Sequence, residues 1–520
     1  MKRSRAGVAT GLLLTTAAAL TVPALAQPSR KQPAQPAQPV EPTPPPPTQG
    51  AEPADTLTLP DVLQHAVRQS PQLASASIDV EVAEAGYLEA TGLEDILFNA
   101  TGAYLRRRTE PFEGDPFSQS DLDQWTGSIS LSKLLWTGGT ISLRADTERN
   151  RLPIFVGLDS AVIGTQATTS VTAQIQQPLL RGRGGTVTRV TRTRAELAEE
   201  QARLQREATG RTVIRDLIAA YWEVAYAWGD LEIRRSSLDL ARERRRLTDA
   251  SVRGGATAPT EVLAVDQVIA QREEDVVVAE LAVTERSLEL RRLAGLEIAP
   301  DQIDIRTGAP LSADVKAVEM NAVVSQAIEE SPEIAVLQSQ ERGAQLEVDV
   351  TDNGLLPRLD LRVYGGPFGS GEEIGESIEN IRDGYVVGGE VVLEHWLGNN
   401  GAQGRSARAQ AERRRVKVNM ADVRRQIVQA AAQAVALAKS AEKRMQLSRT
   451  AIDLTDRNIK AETGRFELGK SSNFDVLLRQ EEHTQARLRY ARAATDYLRA
   501  AAFLEALTGE ILPRYGIKMK

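Results

Sequence analysis

The chain has 520 residues, enough for a large core, with 42% hydrophobic and only 4% aromatic residues and a net charge of −7. That acidic balance argues against a general nucleic-acid binder, and the absence of cysteine excludes disulfides and a lipid attached at an N-terminal cysteine. Past the first 26 residues no apolar run approaches the ~18 residues that a spanning helix needs, so a membrane crossing would require a closed barrel of strands.

The chain opens on the basic Met1-Lys-Arg-Ser-Arg5, an apolar Ala6 to Val22 and Ala24-Leu25-Ala26, the layout of a signal peptide over residues 1–26 that sends the mature chain out of the cytoplasm. Residues 27–54 hold ten prolines and almost no large apolar side chain, which predicts an extended tether. A first repeat is expected over 55–295. Its helices start at Leu59-Pro60-Asp61, where Val62, Leu63, Ala66 and Val67 keep helical spacing, and at Pro71, from which the second runs to about Glu94.

The period then changes to two. Phe98 to Arg107, Trp125 to Leu135, Thr140 to Glu148 and Thr168 to Gln177 alternate, most clearly where Ile141, Leu143 and Ala145 oppose Thr140, Ser142, Arg144 and Asp146. The connectors run long, short, long: Arg108 to Gln124, Trp136 to Gly139, Arg149 to Ala167. Such strands build either a soluble β-sandwich insertion or an outer-membrane barrel, whose tight turns lie on one side and long loops on the other. The gathering of Phe98, Tyr104, Phe112, Phe117, Trp125, Trp136 and Phe155 favours the barrel, because aromatic girdles mark the two membrane interfaces.

After Gln177-Pro178-Leu-Leu-Arg-Gly-Arg-Gly-Gly185 a helical rod runs from about Thr186 to Ala250, roughly 100 Å at 1.5 Å per residue. Leu217, Tyr221, Val224, Trp228, Leu231 and Leu238 form a coiled-coil seam along it. A turn at Gly254-Gly255 leads to a returning helix with Val262, Val265, Ile269, Val276, Ala279, Val283, Leu290 and Leu293, and residues 296–316 link the halves. The second repeat, 317–510, has strands at Pro357 to Tyr364 and Tyr385 to Glu394 within about 357–394, separated by a long loop, Gly365 to Asp383. Its rod runs from about Gln403 to Thr463, with a seam of Val416, Met420, Val423, Ile427, Ala430, Ala434, Leu437 and Ala441. A turn at Gly464 to Asn473, a return helix and a tail, 511–520, complete the chain.

Two echoes mark the duplication. Gly255, Thr260, Glu261, Val262 and Leu263 align with Gly469, Phe474, Asp475, Val476 and Leu477, and Leu59 to Ala74 reads against Met320 to Ala335 with Ser70-Pro71 on Ser331-Pro332. Gly464 to Ser471 also satisfies the phosphate-loop pattern GxxxxGK[ST]. That pattern needs a strand before it and a helix after it, whereas a long helical run precedes Gly464 and the copy at Gly255 lacks the lysine, so a turn between helices is the better reading. The runs Arg244-Arg-Arg246 and Arg413-Arg-Arg415 lie among acids and read as solvated or ion-paired faces. Arg106-Arg-Arg108 abuts a loop, where it could meet lipopolysaccharide phosphates.

In this order the turn blocks GKSSNFDVLL and GATAPTEVLA, the two Ser-Pro helix starts and the QPLLRGRG exit resemble the TolC family of outer-membrane efflux proteins over nearly the whole mature chain. The resemblance implies a mainly α fold with a membrane β-barrel part. Long coiled-coil helices would form a trimeric α-barrel, continuous with a shared transmembrane barrel to which each protomer gives four to six strands. It implies an exit channel for tripartite efflux or type I secretion in a Gram-negative outer membrane, with helices reaching into the periplasm. The partners would be two further copies, a periplasmic adaptor (membrane fusion) protein, an inner-membrane transporter and outer-membrane lipid, without nucleic acid, cofactor, metal or enzymatic activity. The pore gate would involve Asp475 and its counterpart Glu261, with Leu478 where relatives carry a second acid. The tip turns and latch would involve Gly255, Thr260, Phe466, Gly469, Lys470 and Ser471, Ser471 standing where some relatives have a basic residue and Phe466 where they have a tyrosine. For Asp475 an ordinary first-turn carboxylate is the plain alternative. An exported coiled-coil scaffold would explain the rods but not the strands.

Overall fold

The computed structural model describes residues 56–108, 121–155, 161–255, 258–300, 303–308, 311, 315 and 317–518, so the expected signal peptide, tether and Phe112 and Phe117 lie outside the described residues. In chain order the elements are β1 (Thr56–Leu57), α1 (Leu59–Gln69), α2 (Pro71–Thr91), β2 (Ile96–Arg108), β3 (Asp121–Leu134), β4 (Thr140–Phe155), β5 (Ala161–Pro178), α3 (Gly185–Thr188), α4 (Val190–Arg253), α5 (Thr260–Ala294), β6 (Arg306–Thr307), α6 (Met320–Glu329), α7 (Pro332–Asn353), β7 (Arg358–Gly371), α8 (Ile374–Glu379), β8 (Gly384–Glu394), α9 (Asn400–Glu467), α10 (Asn473–Leu507) and α11 (Ile511–Arg514).

The duplication is visible in how the helices start. Ser70 and Ser331 both adopt extended backbone before a proline at the first helical position, where its missing N–H costs nothing, and the Ser331 hydroxyl accepts the Ile334 N–H at 3.1 Å. Thr58 and Asp61 close a capping box at α1. The rods α4 and α9, 64 and 68 residues long, span about 96 and 102 Å. Alongside them α2 and α7 pack on the sheet side and α5 and α10 on the far side, so the lateral order is α2, α4, α7, α9 near the sheet and α5, α4, α10, α9 beyond it. The chain is thus four helices wide along the rods.

The seam positions carry the core. Leu217, Tyr221 and Val224 of α4 are fully buried with Val62, Leu63, Leu290, Ile305 and Ile511, each such side chain contributing about 1.5–3 kcal/mol. Between α9 and α10 the contacts are mostly alanines, Ala434, Ala438 and Ala441 against Ala493, Ala494 and Ala500, which lets the two backbones approach closely. Leu437 departs from the expected seam and is exposed. Further elements have no counterpart in the sequence pattern. The linker contributes β6, which pairs parallel with β1, and the tail contributes α11, whose Ile511 and Leu512 are buried in the core.

The six long strands form one antiparallel sheet in the order β2, β3, β4, β5, β7, β8, with the repeats joined where Ile175 faces Val363. The strands are longer than their alternation suggested, and much of the stretch read as Arg149 to Ala167 pairs as β4 with β5. Likewise Gly365 to Gly371 belongs to β7 rather than to a loop, because its glycines make room for neighbours: a side chain at Gly366 would stand 1.8 Å from the Val171 carbonyl oxygen, and one at Gly369 would stand 2.4 Å from the Ser377 carbonyl oxygen.

Candidate functional site: a membrane wall and a helical tip

Strand register sorts the side chains into two faces. One carries Phe98, Ile129, Leu131, Ile141, Leu143, Val171, Ile175, Leu361, Val363 and Val391; the other carries Asn99, Thr101, Ser128, Ser130, Ser142, Arg144, Asp146, Thr172, Gln174, Arg362 and Glu390. Two ion pairs lie on the polar face, Arg144 with Asp146 at 2.6 Å and Arg362 with Glu390 at 2.9 Å. Tyr104 and Trp125 pair across β2 and β3 with ring centres 4.6 Å apart at one end of the apolar face, and exposed Trp136 and Trp396 mark the helix-bearing end. From Trp125 to Leu134, where β3 ends, the chain rises about 30 Å along the strand, about 23 Å along the normal at a barrel tilt of about 40°, close to the ~25 Å apolar band of outer-membrane barrels. Among the described residues no helix is long and apolar enough to cross a membrane.

At the far end of the rods lie the two turns. Gly469 has φ +68° and completes a Schellman motif, its N–H bonding to the Phe466 carbonyl and that of Lys470 to the Arg465 carbonyl; Gly255 has φ +73° at the matching position. This settles the phosphate-loop pattern: Gly464 lies within α9, its neighbours' backbone groups are committed to the helix, and Lys470 is an exposed residue beyond it. Asp475 closes a capping box with Ser472, accepting from the Ser472 hydroxyl at 2.7 Å and from its backbone N–H at 3.2 Å. These bonds hold the Asp475 carboxyl below its ordinary pKa, and the Ser471 hydroxyl adds to the effect. Ser471 also donates to Glu462, and Leu478, one turn further along α10, is exposed.

The structure joins the two turns through residues that the sequence reading did not single out. Asn473, buried at the start of α10, donates to Glu261 of α5 at 3.4 Å. Arg244, expected on a solvated or ion-paired face, is only 8% exposed, its guanidinium carbon 5.0 Å from the Phe466 ring centre; burial lowers its pKa, which Glu467 partly offsets. Its neighbours keep the expected pattern, Arg245 pairing with Asp266 and Arg246 with Glu243. Higher up, buried Arg272 of α5 donates to the Ser237 carbonyl of α4, and Thr484 of α10 to the Ser237 hydroxyl. Arg244 was legible in principle, since Leu238, Ala241, Arg244 and Thr248 continue the 3-and-4 spacing of the seam and all four are buried. Thr260 opens α5 one position before Glu261. Among the described residues no group of three His, Cys, Asp or Glu could hold a metal ion.

Comparison with known proteins gives one coherent answer. The family model for outer membrane efflux proteins matches residues 140–296 and 323–510, well over half of the chain, with β2 and β3 lying before the matched region. Among solved structures, the outer membrane protein VceC of Vibrio cholerae superposes with a TM-score of 0.63 at 14% identity, covering 87% of this chain and 96% of its own. The outer membrane channel CmeC of Campylobacter jejuni gives 0.64 at 13% identity, with 87% and 85% covered. The open state of the MtrE channel of Neisseria gonorrhoeae gives 0.62 at 14% identity, with 87% and 89% covered. No curated protein sequence matches the chain. With both halves of the duplication matched by the family model, and with the apolar wall, the rods and the paired turns in their expected order, the chain belongs to the outer membrane efflux protein family, the TolC-like channels of the Gram-negative outer membrane.

Proposed function

We propose that three copies of this chain assemble into a single exit duct, which receives cargo from an inner-membrane pump through a periplasmic adaptor and releases it outside the cell. The observation that carries this reading is that, among the described residues, both edges of the protomer are open in the sheet and along the rods. Among the described residues the outermost strands β2 and β8 have no partner on their outer edges, a condition that lipid does not tolerate. The edge helices present exposed apolar side chains, Val82 and Leu88 on α2, Val277, Val278 and Leu281 on α5, and Val418, Leu447 and Leu454 on α9. An interface between one edge and the opposite edge of the next copy repeats head to tail and closes into a ring.

Wall widths agree with a duct of even bore. Six strands spaced about 4.8 Å and tilted about 40° cover about 38 Å of circumference, and four helices at 8–10 Å cover about 32–40 Å. Three protomers then give eighteen strands above twelve helices, rather than the twelve strands usual in the resembled family. At the tip, exposed Leu263, Leu468 and Phe474 offer an apolar surface that suits an adaptor. There Asp475, Glu261 and Leu478 ring the constriction, and Phe466 on Arg244 acts as the latch, with Ser471 and Lys470 beside it. The decisive experiment is single-channel recording of the purified protein in planar bilayers together with its mass in detergent. A trimer that conducts weakly and opens further in Glu261→Ala and Asp475→Ala variants supports the reading; a non-conducting monomer overturns it.

A further inference from the structure

The connection between β7 and β8 does not stand above the sheet as a free loop. It folds back so that α8 lies against the wall, and register decides which side. A side chain at Gly369 would meet the Ser377 carbonyl at 2.4 Å and one at Gly371 would meet the Glu376 side chain at 2.7 Å; both positions share the face of Leu361 and Val363. On that face the Ser377 and Thr169 hydroxyls lie 2.7 Å apart, the Thr169 and Thr147 hydroxyls 3.0 Å apart, and Arg149 donates to Glu373 at 3.1 Å. Asn380 ties the segment down by donating to the Ser370 carbonyl at 3.0 Å. So α8 occupies the apolar, lipid-side face and leaves the polar face clear.

Its height and orientation follow from the same contacts. Arg149 is the cross-strand partner of Trp125, itself paired with Tyr104, so α8 sits at the aromatic girdle farthest from the helical rods. Glu376 lies over Gly371 and accepts the Glu372 N–H, toward the strand ends, whereas Ser377 lies over Gly369, nearer the middle of the wall. Ile378 lies about 200° around the helix from Glu376 and about 100° from Ser377, both of which meet the wall, hence on the side turned out from the wall and away from the strand ends, and it is exposed. An acid flank toward water and an isoleucine flank toward hydrocarbon is the orientation of an interfacial helix.

We propose that α8 is a lipid-contacting wedge, seated at the headgroup–acyl boundary of the outer leaflet, that fixes how deeply the barrel sits. Ile378 enters the acyl layer, and Glu376 and Glu379 stay among the headgroups. The proposal rests on the barrel reading above, and the experiment separates the two. The chain has no cysteine, so Ile378→Cys, Glu376→Cys, Val391→Cys and Ser130→Cys each accept a single nitroxide label in the assembled protein in phospholipid bilayers. Collision with oxygen reports hydrocarbon and collision with a water-soluble nickel chelate reports water. The expected result is an oxygen-to-nickel ratio several-fold higher at 378 and 391 than at 376 and 130. A ratio at 378 equal to that at 130, with 391 still in hydrocarbon, overturns the wedge alone; a water-like ratio at 391 overturns the barrel and the wedge with it. Adding Gly369→Leu to the Ile378→Cys variant crowds α8 off the wall and shifts the label to the water-like ratio; an unchanged ratio there also counts against the wedge.

Discussion

The guanidinium carbon of Arg244 lies 5.0 Å from the centre of the Phe466 ring, so the tip ends of the two rods touch through a buried cation and an aromatic face. A desolvated contact of this kind is worth about 0.5–2 kcal/mol, and removing the ring also leaves a buried charge without its cover. Phe466→Ala is expected to raise channel open probability, and Phe466→Trp to keep the tip closed. Combining Phe466→Ala with Arg244→Met, which fills similar space without charge, should recover part of the loss. Unchanged recordings across the series would remove this contact from gating.

Asp475 gives the tip a pH dependence. Its carboxyl is held low by the Ser472 hydroxyl and N–H, so ionised Asp475 favours the folded cap. For a depressed carboxylate that stabilisation is complete above the unfolded pKa of about 3.9 and is lost as pH falls through the lower folded value. Conductance should stay level from neutral pH to about pH 4 and rise below it, and Asp475→Asn should abolish that step.

The alanine seam between α9 and α10 leaves no room for larger side chains. Ala434 is fully buried against α10, and Ala434→Leu is expected to destabilise by about 1–3 kcal/mol, read as a lower melting temperature of the purified protein.

Gly366 guards the joint between the repeats. A side chain there would stand 1.8 Å from the Val171 carbonyl oxygen, inside the pairing of β5 with β7. Gly366→Ala should cut the amount of protein recovered in outer membranes. Gly86→Ala, in a helix with open space around it, serves as the control and should stabilise by about 0.5–1 kcal/mol.

Edge contacts can be tested from both sides. Leu281→Glu on α5 and Leu447→Glu on α9 each put a carboxylate into the proposed junction between copies while leaving the protomer's own core untouched. Mass photometry is expected to show monomers for both, and intact trimers in either variant would move the interface elsewhere.

The sequence by itself determined the parts whose physics is periodic and local. Alternation at Ile141, Leu143 and Ala145, the 3-and-4 spacing of Leu217, Tyr221 and Val224, and the Ser-Pro helix starts are each set by residues close along the chain, and all lie in the elements they foretold. The repeat echo likewise located both turns. Tertiary structure alone decided what depends on partners distant in sequence. It paired β1 with β6, buried α11, exposed Leu437, brought Asn473 to Glu261, and gave Arg244, whose burial the seam spacing foreshadowed, the Phe466 ring as its partner. It also made strand out of the glycine-rich stretch after Tyr364 and laid α8 on the outer wall. A glycine there reads as a loop until the neighbouring backbone that needs its space is known, and no periodicity in one segment carries that information.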